Sequence, residues 1–154
     1  MNLIVALSPA ATPLASLAPE FGLTPPPPLT PLLSHFPARP PPHTTLPVPL
    51  PAVHPLLAPN TPPILFAGVP HLLSTSPLLV PVARAPPESF ASDADSDAAA
   101  DALVDATDKG GEGLWAGAQM GLVTGFQATN CARAMWVGGV DVFSDKFAQT
   151  PLER

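Results

Sequence analysis

The chain has 154 residues and a net charge of −6, with 25 prolines, one cysteine and only six lysines and arginines. A single cysteine excludes an internal disulfide and a multi-cysteine zinc site. Six scattered bases exclude the clustered charge that nucleic acid or a polybasic membrane contact needs.

Composition divides near Pro86-Pro87. All prolines but Pro151 lie between Pro9 and Pro87, and most glycines lie between Gly110 and Gly139. The first part is almost uncharged and the second is acidic. The first segment, MNLIVALSPAATPLASLA, has an apolar run that ends at Leu7 and no base before Arg39. It lacks the basic start of a secretory signal and the arginines of a transit peptide.

From Pro9 to Pro87 a proline recurs every few residues. Each fixes φ, removes a donor and turns its predecessor away from the α region. The expectation is polyproline II and coil, largely disordered, over residues 1–87. PxxP spacing occurs at Pro25, Pro28 and Pro31, but no base lies between Glu20 and Arg39 to orient such a ligand. A spacer is the expected role. Seven Ser/Thr-Pro dipeptides, six of them in this half, would add charge if phosphorylated. The uncharged stretch 64–83 is long and apolar enough to cross a bilayer, yet contains Pro70, Pro77 and Pro81. An extended, adhesive segment is the simpler expectation. His35, His43, His54 and His71 lack metal-site spacing and serve as polar relief in an apolar tract.

Residues 92–111 read as a helix. Ser92 caps it, early aspartates suit the helix dipole, and Gly110-Gly111 stop it. Asp93, Asp95, Asp97 and Asp101 match part of a calcium loop, but Ala98 and Val104 replace its glycine and bidentate acid. Residues 88–111 therefore form an acidic helix or linker.

Residues 112–147 hold the most pointed pattern. Gly113, Gly117, Gly121 and Gly125 fall four apart, one row of a helix through which two helices could pack closely. Trp115 and Trp136 would stand at two membrane interfaces, although Arg133 between them is costly there. The run WAGAQMGLVTGFQATNC (115–131) resembles the second membrane segment of the small subunit of the mitochondrial cristae-organising complex. That family's glycines alternate more tightly, and its first membrane segment has no counterpart here. The resemblance implies a glycine-mediated membrane oligomer.

Nucleophilic catalysis needs a hydroxyl or thiol beside an oriented base. Cys131 stands sixty or more residues from any histidine. Neither an enzyme nor a cofactor is expected. The fold expected is a disordered proline-rich half followed by a short α-helical part with no large core, and a tail at 148–154. The function expected is an interaction or accessory protein with a flexible proline-rich arm, binding a protein partner or itself. The alternatives are a small membrane-associated protein oligomerising through the glycine row, and a translated frame without selected function. Placement inside the cell, free or at a membrane, goes with these readings.

Overall fold

The computed structural model describes residues 2–10, 13–34, 44–51, 57–58, 61–91 and 115–144. Within them the chain is a β structure, not a disordered arm with a helical tail. The expected helix at 92–111 lies outside the described residues.

The centre is a hairpin. Strand β9 (Met120–Gln127) pairs antiparallel with β10 (Arg133–Val137). Its turn places Cys131 at φ 63°, with the Asn130 side-chain oxygen accepting from the Ala132 amide at 3.1 Å. Valine, threonine and aromatic residues favour the pleated surface, and an Asn-containing turn joins two such runs. The expected glycine-row helix, and the membrane segment inferred from the resemblance, are replaced by this hairpin. No helix among the described residues is long and apolar enough to cross a membrane.

Strands from the proline-rich half complete the sheet. Strand β1 (Asn2–Ala6) runs parallel to β10, with Ile4 opposite Met135 and Val5 opposite Trp136. Strand β7 (Leu79–Arg84) lies antiparallel on the other side of β9. Strand β6 (His71–Leu73) pairs with the start of β9 and carries β2 (Leu23–Thr24) on its far side. Two further pairs, β3 (Leu32–Ser34) with β8 (Ser89–Ala91) and β4 (Leu46–Val48) with β5 (Ile64–Phe66), lie outside this sheet. Thus residues 64–83, long enough for a span, form β5, β6 and most of β7.

The prolines explain why sheet survives. A proline cannot donate to a ladder, so it is confined to edges, strand starts and bulges. Strands β9, β10, β1 and β6 contain none. Pro47 sits in β4, which pairs on one side only. Pro81 sits in β7, beside a register irregularity. Pro70, Pro77 and Pro86 fall between strands. The residue bars interior ladders; it does not bar three-residue strands at their margins.

The sheet buries two apolar clusters. Val5, Leu7, Leu23, Val69 and Trp136 pack with Ala18 from a 3₁₀ segment, Pro13–Phe21. Phe21 lies edge-on to Phe126 and tilted against Trp136, at 5.0 and 5.3 Å between ring centres. The other cluster joins Leu32, Leu46, Val48 and Phe66 of the outlying pairs to Met120, Leu122, Val123 and Val137. At the junction the backbones touch: Val69 N–H donates to the Gly138 carbonyl at 2.7 Å. A Cβ on Gly138 would run into the Val69 carbonyl oxygen, so only glycine allows that approach.

Candidate functional site

Two regions combine unusual chemistry with a defined place in the sheet. The first is closed. His71 Nε2 and Thr124 Oγ1 lie 2.7 Å apart, joining β6 to β9 across 53 residues of sequence. Both side chains are fully buried. Gly121 permits the pairing, since a Cβ there would stand 2.8 Å from His71 Nε2 and 3.0 Å from Thr124 Oγ1. Burial disfavours the charged imidazole and lowers its pKa from 6.5 to about 4. Among the described residues His71 Nδ1 and Trp136 Nε1 have no hydrogen-bond partner. A histidine–hydroxyl pair is the kind used to activate a nucleophile. Here no surface reaches it, so its chemistry is that of a neutral, buried hydrogen bond. The expectation that the histidines only relieve an apolar tract missed this contact. Nothing in the spacing of His71 and Thr124 announces it.

The second region is open. One register row crosses four strands: Ile4 of β1, Met135 of β10, Gly125 of β9 and Val80 of β7. These residues line a groove of about 420 Å³ with Arg133 and Gln127 at one end. Ile4 is 61% exposed. Gly125 carries no side chain, which leaves a trough between Met135 and Val80. A hydrophobic row rimmed by a few polar groups is the form of a surface for another macromolecule.

The residues singled out in the sequence separate. Gly113 lies outside the described residues. Gly117 starts a 3₁₀ turn at φ 67°, near the Pro87 carbonyl. Gly121 sits under His71 on the closed side, whereas Gly125 belongs to the open row. Trp115 is half-buried against the Leu46–Phe66 cluster, and Trp136 is wholly buried on the opposite side. A third feature, a cleft of about 330 Å³ between Leu7 and Pro25–Pro28, is lined mainly by proline and alanine. Its hydroxyls are engaged locally: Ser16 donates to the Pro13 carbonyl, and Ser8 accepts from the Ala10 amide.

Comparison with known proteins adds a decisive observation. The family described as OST48, N-terminal domain, matches residues 1–154, the whole chain. The chain belongs to this family. No curated protein matches it. The OST48 family is that of a subunit of a membrane-associated complex, in line with the protein partner expected for the chain. A family match along the whole chain, with a structured β domain, overturns the accessory protein with a proline-rich arm. It likewise overturns the glycine-row membrane oligomer and the frame without selected function. Intrinsic disorder and a glycine zipper go with them.

Proposed function

We propose that this OST48-family chain is a subunit domain of an oligosaccharyltransferase-type assembly at a membrane, contributing contacts and not chemistry. The match over residues 1–154 carries this reading. The surface supports it: the chain offers an apolar row to a neighbour, with Ile4 61% exposed, while its only described histidine–hydroxyl pair is sealed from any substrate. A catalytic role would require that pair, or another, to reach a groove.

The test is native electrophoresis of gently solubilised membranes from cells making the tagged chain. It should migrate with oligosaccharyltransferase activity, and its depletion should leave glycoproteins under-modified. Migration as a lone chain, with glycosylation unaffected by depletion, would end the proposal.

A further inference from the structure

The open row ends at β1, and among the described residues the outer edge of β1 pairs with no strand. Its sequence, Asn2-Leu3-Ile4-Val5-Ala6, has no charge, proline or glycine. It therefore lacks the devices that proteins place on edges meant to stay unpaired. An open edge presents unpaired amides and carbonyls, and an extended chain is what satisfies them. The strand is also open on both faces, since Ile4 is 61% and Leu3 37% exposed.

Charge narrows the occupant. Arg133 stands exposed at the end of the groove, beside Asn2 and Gln127. Among the described residues no carboxylate lines the groove and Arg133 has no ionic partner. A second copy docking by two-fold symmetry would bring the same patch, with another Arg133 and no acid. Lipid is disfavoured as well, because an open sheet edge in hydrocarbon leaves its backbone groups unsatisfied.

We propose that the edge of β1 and the adjoining groove receive an extended segment of another polypeptide. It adds a strand to the sheet beyond β1. Its side chains cover Ile4 and set a carboxylate on Arg133. This rests on the reading of the chain as a subunit, and names the surface that reading uses.

The experiment places a photocrosslinking amino acid at position 4 of the full chain in its own cells, with position 140 as the exposed control. Position 4 should give an adduct with one other polypeptide, mapped to a segment bearing Asp or Glu. Arg133→Glu should cut the adduct by about tenfold or more, and reversing the partner's acid to Lys should restore it. Circular dichroism confirms that the Arg133→Glu chain is folded. An adduct with a second copy, with lipid or with nothing overturns the proposal, as does indifference to Arg133→Glu. Co-migration of the wild-type chain with the transferase is scored separately. Co-migration without the adduct sinks only the docking surface, and the adduct without co-migration sinks only the transferase assignment.

Discussion

The two faces of the central sheet are made by the same strands and end differently. On one face Val5, Trp136 and Thr124 are register neighbours, sealed by Phe21, Leu23 and His71. On the other, Ile4, Met135 and Gly125 occupy the alternate positions, and the covering cluster of Leu46, Val48 and Phe66 takes in Val123 and Val137 and reaches Met135, leaving Ile4 exposed. Alternation by itself makes both faces apolar. What separates them is which outlying segment arrives to cover each. The closed face carries stability, and the open face leaves Ile4 to solvent.

Adjacent residues of β10 give the sharpest contrast. Trp136→Ala removes a fully buried side chain and its contact with Phe21. It should cost about 3–5 kcal/mol in denaturant unfolding. Met135→Ala, one residue away and half-buried, should cost about 1 kcal/mol. Equal losses would mean that the faces are not distinct.

The next largest effect is in the pH dependence. His71 has a folded pKa of about 4 against 6.5 for the free group. The unfolded chain therefore takes up this proton first. The contribution is complete above pH 6.5 and is lost progressively as pH falls toward 4. The loss amounts to about 3 kcal/mol. Carboxylates also titrate at the lower end, so the measurement is a difference. The His71→Leu, Thr124→Val double variant removes both polar partners together. It should lose less stability than wild type between pH 7 and 4.5. Parallel stability curves would show that His71 is hydrated and titrates freely.

Thr124→Val alone sharpens the same point. It keeps the shape and strips the hydroxyl, leaving His71 Nε2 buried without its 2.7 Å partner. About 1–3 kcal/mol should be lost at pH 7. A null result would mean that another group takes up the imidazole. The double variant should recover part of that loss, because no unpaired group then remains.

Some of this was legible in the sequence. The alternating run from Met120 to Gln127, an Asn-bearing turn and Ala134–Val137 together form a hairpin signature. The glycines obscured it. Residues four apart share a helix row, and in an ideal strand they share a face as well, so the spacing favours neither. Even the strand face fails: Gly121 and Gly125 end on opposite sides, where the β7–β9 register is irregular between Pro81 and Arg84. The prolines point to polyproline II and coil, yet their bar on ladders applies only to strands bonded on both sides. The change of composition at Pro86-Pro87 is real, yet β1 pairs with β10 and β7 with β9 across it. Pairings that distant leave no local mark. The open groove was unreadable for the same reason, since its one row takes residues 4, 80, 125 and 135 from four strands.

The smallest expected effects bear on what the open face is for. Ile4→Asn swaps an apolar residue for a polar one where water already reaches it. In the isolated chain it should change stability by no more than about 0.5 kcal/mol. Val5→Asn, one residue on and 5% exposed, should cost several times more. The small number is the more informative one. If Ile4 were part of a core, Asn would leave its amide without partners and the loss would match that at Val5. If Ile4 waits for a neighbour, the isolated chain is indifferent and the cost emerges only when the neighbour binds. A large loss in the isolated chain would therefore mean that β1 is already covered, and the contrast between the two faces would vanish.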